Sequence, residues 1–318
     1  MSKYSTIAEL QNVTKSFGEV VAVSDASFTI EKGKIVGFLG PNGSGKTTSI
    51  RMLLGLLRPQ SGYVNLFGVN PFTHNGVKYL IGYIPEENAF PKWLTAQKYL
   101  ESLGRFYMPK EESRVRATEV LEQVGLDHVA NKRILQFSKG MRQRIKIAQA
   151  LLHRPALVIG DEPFNGLDPL VRRDMFELIK SYQKDYHMTF LISSHILFEV
   201  DRLANNIVLL YKGRTIAQGT PHRIREMIQD QPHEIQISSP VARQISSKLV
   251  ELTSDSIISS VAFTQSGVGE SVVTVDTLDP RAFYHLLTDV IVDNDFRIHE
   301  IRAVGEGLEN LFKSLTVG

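Results

Sequence analysis

The sequence predicts an α/β fold followed by a smaller α+β domain, and three observations carry that expectation. The run Gly40-Pro41-Asn42-Gly43-Ser44-Gly45-Lys46-Thr47 has the spacing G-x-x-x-x-G-K-[ST] and lies between an apolar run, Ile35 to Leu39, and a helix-compatible run, Thr48 to Leu54. Two further strand-like runs, Leu157 to Ile159 and Met188 to Ile192, lead into polar residues, Asp161-Glu162 and Ser193-Ser194-His195. From His233 onward the pattern reads strand Glu234–Ser238, helix Val241–Leu252, strand Ile257–Thr264, strand Ser271–Thr277, helix Pro280–Val292 and strand Phe296–Ala303, with the alternation of Ser271 to Asp276 and the turn residues Ser266-Gly267-Val268-Gly269 marking a hairpin.

The Gly-rich run fits a loop that folds around phosphate oxygens. Gly40, Gly43 and Gly45 free the backbone to converge its N–H groups on an anion, and a helix N-terminus at the loop's end adds partial positive charge. The stretch from Gly40 through Pro41, Asn42 and Ser44 to Thr48 is therefore the expected cradle for a nucleoside triphosphate. In it Lys46 reaches the β/γ-phosphates and the Thr47 hydroxyl sits on Mg²⁺.

Composition sets the outer bounds. At 318 residues the chain can bury a large core and is expected to form two domains, 1–231 and 232–318. It has no cysteine, which excludes disulfides and thiolate metal sites and suits a reducing compartment. No apolar run is long enough for a bilayer span, and Met1 to Leu10 lacks the layout of a signal peptide, so a cytoplasmic location is expected. Of 36 Lys/Arg and 34 Asp/Glu, residues 232–318 hold 6 and 12, leaving 30 and 22 for residues 1–231. The halves thus differ in sign, which reads either as two solvated surfaces or as a basic face turned towards nucleotide or an anionic membrane surface.

Further segments add candidate residues. Neighbouring strand residues point to opposite faces, so Asp161 and Glu162 are expected to divide the work: Asp161 to the metal, Glu162 to the attacking water. Phe137-Ser138-Lys139-Gly140-Met141-Arg142-Gln143-Arg144 precedes a long helical pattern, where Ser138 and Gly140 either cap the helix or present it to an anion. His195 follows a strand, at the end of an α/β sheet where ligands bind, and is a candidate for touching the γ-phosphate. The short apolar stretch Ile81 to Ile84 is broken by Pro85-Glu86.

In that order, GPNGSGKT, YIPEE, FSKGMRQR, LVIGDEP, NGLDP and SSH resemble the ATP-binding cassette family, from about Thr6 to Gly219. The YIPEE and SKGMRQR spellings are similar to nucleotide-binding subunits of the exporter-type branch that serve separately encoded permeases. The resemblance implies a P-loop cassette with an antiparallel β-subdomain from about residue 5, a mixed α/β core, and a helical insertion over about 88–150. It also implies ATP and Mg²⁺ as ligands. By the same resemblance Phe17 would stack on adenine or pack in the core; Lys46, Thr47, Asp161, Glu162 and His195 would act within one chain; Ser138 and Gly140 would bind the γ-phosphate held by a partner chain; and Asp168 would lie in the loop through which the two sites communicate. The resemblance implies that the pair, homodimer or heterodimer, closes on ATP and opens after hydrolysis.

The resemblance further implies a peripheral position at the cytoplasmic face of the cell membrane, with a transmembrane permease as partner and no nucleic acid. A soluble cassette ATPase acting on nucleic acid or ribosomes is the alternative; such relatives generally carry two cassettes or a long coiled-coil insertion. Several residues depart from the family pattern. Glu86 stands where Gln is usual and is assigned to Mg²⁺ and nucleotide; Lys139, Met141, Gly160 and Phe164 also differ. Trp93, just beyond Glu86, reads either as part of a groove for a permease helix or as internal packing. Residues 232–318 are expected to form a ferredoxin-like βαββαβ domain with a closing helix, Leu308–Leu315.

Overall fold

The computed structural model describes residues 6–87, 89–229, 233–252, 257–265 and 271–304. The chain divides into two compact units, Met1–Pro221 and His222–Gly318. That division falls after the first residue of helix Pro221–Gln229, ten residues before the boundary at 231 expected from composition and sequence pattern, which do not register packing.

In the first unit, strands β1 (Thr6–Phe17) and β2 (Val20–Glu31) form a hairpin, and β4 (Ser61–Leu66) pairs with the other side of β1. This three-stranded antiparallel sheet, ordered β2-β1-β4, is the expected β-subdomain. The second sheet has six strands: β3 (Ile35–Leu39), β5 (Ile81–Ile84), β6 (Leu157–Gly160), β7 (Thr189–Ser194), β8 (Asn206–Tyr211) and β9 (Arg214–Gly219). Their order is β5-β6-β7-β3-β8-β9, parallel except for β9. β3, β6 and β7 are buried at every residue, which is why they read as continuous apolar runs rather than alternating ones.

That order puts β5, β6, β7 and β3 side by side, so the loops leaving their C-terminal ends converge: Pro85-Glu86, Asp161-Glu162, His195 and the phosphate loop. Helix α1 (Lys46–Leu53) leaves the phosphate loop directly. The helical insertion comprises α2 (Ala96–Gly104), α3 (Lys110–Gln123) and α4 (Lys139–Leu151). Its apolar faces share a core with β5, β6 and β7 through Leu100, Val120, Leu121, Ile145, Ile147, Ile84, Val158 and Phe190. α5 (Pro169–Tyr186) and α6 (Leu197–Leu203) follow β6 and β7.

The second unit holds α7 (Pro221–Gln229), β10 (His233–Ser239), α8 (Ala242–Glu251), β11 (Ile258–Gln265), β12 (Ser271–Thr277), α9 (Pro280–Asp293) and β13 (Glu300–Val304). Its sheet is antiparallel and ordered β11-β12-β10-β13, so each helix crossover passes over one intervening strand. This is the split βαβ arrangement of a ferredoxin-like domain. Alternation places Ile235, Ile237, Val273 and Val275 inward against Ile245, Leu249, Phe283 and Leu287. The last strand is shorter than the Phe296–Ala303 expected, because the Phe296 N–H donates to the Ile291 carbonyl and finishes α9 instead. The expected closing helix and the Ser266-Gly267-Val268-Gly269 turn lie outside the described residues.

Candidate functional site

Gly45 caps α1 with φ of 101°, a left-handed conformation that only glycine adopts without strain, and no side chain caps that helix. The first-turn amides are thereby left to a ligand. The Ser44 hydroxyl is buried in the same loop without a hydrogen-bond partner. An orphaned donor beside bare helix amides suits phosphate oxygens.

The Lys46 ammonium is 6% exposed and donates to the carbonyls of Gly40 at 2.7 Å and Pro41 at 3.2 Å. It also lies 3.2 Å from Glu162 Oε1. That oxygen is an ion-pair partner but is left without a hydrogen bond, so the buried carboxylate keeps an acceptor position that a water would fill. The other oxygen, Oε2, is 3.0 Å from His195 Nδ1. An ionised carboxylate only accepts, so Nδ1 carries the proton and donates.

Strand β7 ends in two serines that face opposite ways. The Ser193 hydroxyl donates to Asp161 Oδ1 at 2.9 Å and accepts from the Glu162 N–H at 2.8 Å, fixing both carboxylate residues from one side chain. Glu162 has a φ of 46°, and this pair of bonds over-determines that strained backbone. The Ser194 hydroxyl donates to buried Glu199 at 2.6 Å and accepts from the Ile196 N–H, bracing the backbone around His195. Glu199 in turn pairs with Arg172 at 3.0 Å, and Arg172 donates to the Leu167 carbonyl at 3.2 Å. Tyr83 lies close enough for Asp161 to act on it; burial first, then that carboxylate, push its hydroxyl up to about 12.

An open cavity of about 500 Å³ is lined by Phe17, Asn42, Gly43, Gly45, Lys46, Thr47, Thr48, Glu86, Glu162 and His195. The structure therefore brings together most of the residues that the sequence marks out. Val20, Val21, Ala22 and Asn165 line it too, although their residue types carry no phosphate chemistry that could have revealed them. Phe17 is 52% exposed, which removes the core-packing alternative, and Lys15 stands 5.7 Å from its ring centre. Asp161 is buried beside the cavity. The donor set of Thr47, Asp161 and Glu86 is all oxygen, which fits Mg²⁺ completing its shell with phosphate and water.

Ser138, Gly140 and Asp168 do not line this cavity. Ser138 caps α4 by accepting from the Met141 N–H at 3.2 Å, and Gly140 lies in that helix's first turn. Asp168 caps α5 by accepting from Leu170 and Val171. Gly160 has a packing reason: a Cβ there would stand 3.0 Å from the Pro163 ring and 3.1 Å from Ile192. Phe164 is buried edge-on against Phe176. Sequence reasoning missed Ser193 as the residue that orders the two carboxylates; a serine beside a histidine gave no sign of which face it serves.

Taken together, a phosphate loop, a buried carboxylate aimed at its lysine and a histidine on that carboxylate define a P-loop ATPase. A family model described as ABC transporter matches residues 23–165. The bacitracin transport ATP-binding protein BcrA of Bacillus licheniformis is 41% identical over 215 residues, covering 67% of this chain and 70% of its own length. The uncharacterized ABC transporter ATP-binding protein YcbN of Bacillus subtilis (strain 168) is 33% identical over 314 residues, covering 98% of this chain and 97% of its own. Among solved structures, an ATP-binding subunit of an ABC transporter is 31% identical with a TM-score of 0.63, over 70% of this chain and 92% of that one. A dimeric cassette in a post-hydrolysis state, bound to ADP and Pi, is 27% identical with a TM-score of 0.61, over 67% and 98%. The chain belongs to the ABC transporter family, as an ATP-binding and ATP-hydrolysing subunit.

Proposed function

We propose that this subunit closes on ATP with a second cassette, identical or different, and that hydrolysis reopens the pair to drive a separate transmembrane permease. The observation that carries the reading is the Lys46–Glu162–His195 cluster at the mouth of the phosphate loop. Phosphate oxygens compete with Glu162 for the Lys46 ammonium, and the displaced carboxylate is then free to orient the attacking water. His195 holds Oε2 of that carboxylate through Nδ1–H, which keeps Oε1 for the water. When bound, Mg²⁺ would neutralise charge on the β- and γ-phosphates; Thr47, Asp161 and Glu86 are the residues that would hold it. Phe17 offers its exposed ring to adenine.

In this reading Ser138 and Gly140 bind the γ-phosphate of the second cassette, so affinity between the two depends on that phosphate. Asp168 shapes the loop between the two sites. Among the described residues no helix is long and apolar enough to cross a membrane; in this reading the permease is a separate chain and the subunit sits peripherally at the cytoplasmic face. Trp93 is 73% exposed while Phe90 packs edge-on against Tyr99, which leaves the tryptophan for a partner helix. The exporter direction follows relatives whose names state it, such as the Nod factor export ATP-binding protein I of Rhizobium meliloti, 34% identical over 253 residues. The test is Glu162→Gln with saturating Mg-ATP. A stable dimer by light scattering is expected; a monomer would remove support for both the catalytic role of Glu162 and the two-chain site.

A further inference from the structure

Lys146 is a buried cation that the chemistry above leaves unused. It stands on α4, is 2% exposed, and donates through Nζ to the carbonyls of Pro85 at 2.7 Å and Glu86 at 2.9 Å. Among the described residues no carboxylate lies within ion-pair distance of it. Removing an ammonium from water for two neutral acceptors is costly, and an apolar side chain would fill the same space without that cost. Burial accordingly pushes its pKa down to about 8, against the pull of Glu86 and with the help of Lys139.

Two carbonyl acceptors alone do not require a charge, since an amide donates to them equally well. What the charge adds is a field, and the group it reaches is Glu86, whose backbone the ammonium already touches. Glu86 in turn lines the phosphate cavity and brings a negative charge towards a triphosphate. The loop is thereby fastened to the helix whose first turn carries Gly140.

We propose that Lys146 is a positioning residue for the nucleotide site: it holds the Pro85-Glu86 turn by two carbonyls and offsets the charge that Glu86 brings towards the phosphates. This rests on the assignment of Glu86 to that site.

A charge cycle on the full chain tests it, with Mg-ATP turnover and Mg-ATP affinity measured for E86Q, K146Q and the double variant. K146Q keeps a donor for the carbonyls and loses only the charge. With Glu86 in place it is expected to lower turnover about tenfold, and by less than about twofold when added to E86Q. Equal losses in the two backgrounds, or no loss beside Glu86, overturn the proposal, because a lysine that only packs or bonds costs the same whatever residue 86 carries. K146M, which fills the space without a donor, runs the same cycle should K146Q not fold. A separate E86A variant, which removes the side-chain oxygens that a glutamine would keep, would instead overturn the assignment of Glu86 if its affinity and turnover were unchanged, a result read from that single variant alone.

Discussion

The two regions that carry the candidate site residues are built on opposite plans. At the phosphate loop the polar side chains are spent on one another: Lys46 on Glu162, Glu162 on His195, Ser193 on Asp161 and on the Glu162 amide. At the start of α4 and α5 the candidate residues are spent on their own helices, Ser138 and Asp168 each acting as an N-cap. A mutually bonded cluster is complete within one chain and, in the proposed reading, changes partners when phosphate arrives. A capping residue contributes to its own fold first and has one hydroxyl or carboxylate to share with a neighbour. On the proposed two-cassette reading, the difference separates a chemical half, fixed by sheet topology, from a recognition half that depends on association.

Four substitutions break or sharpen that contrast. The largest effect is expected for Glu162→Gln, which removes the charge proposed to orient water: turnover falls by on the order of a thousandfold while ATP binding persists. Single-turnover kinetics beside equilibrium nucleotide binding check it, and a parallel loss of binding would make Glu162 structural. Next is Glu199→Gln. It leaves the Arg172 guanidinium without its charge partner, and, discounted because Arg172 is a quarter exposed, costs about 2 kcal/mol in urea unfolding. A change below about 0.5 kcal/mol would show the brace under His195 to be dispensable.

Phe17→Ala comes third, with about 1–2 kcal/mol lost in ATP affinity and little change in thermal stability, because the ring is already half exposed. Calorimetric titration with ATP and with inorganic triphosphate separates the outcomes: the base-bearing ligand should weaken and the bare phosphate should not. The smallest effect, about 1 kcal/mol of folding stability, is expected for Ser138→Ala through the lost cap. The informative reading is beside it. If ATP-driven pairing in the Glu162→Gln background survives Ser138→Ala, then Ser138 is a cap and nothing more.

Much of this was legible before any coordinates. The spacing of Gly40 to Thr47 specified the loop, and buried parallel strands announced themselves as largely apolar runs at Ile35 to Leu39, Leu157 to Ile159 and Met188 to Ile192. Alternation at Ser271 to Thr277 gave that strand its bounds. Less legible was Phe296, whose apolar run continued a strand pattern but whose amide closes a helix.

Local pattern, then, determined which segments become strands, loops and helices here, because periodicity and glycine placement act over a few neighbouring residues. Tertiary structure decided the rest: that Glu162 meets Lys46 and His195, that Ser193 rather than a loop residue orders the carboxylates, and that Lys146 lies under Glu86. Those partners are separated by tens of residues in the chain, and only the strand order β5-β6-β7-β3 brings them within bonding distance. Sheet order is settled by the burial of whole faces, a sum over the core that no single segment contains.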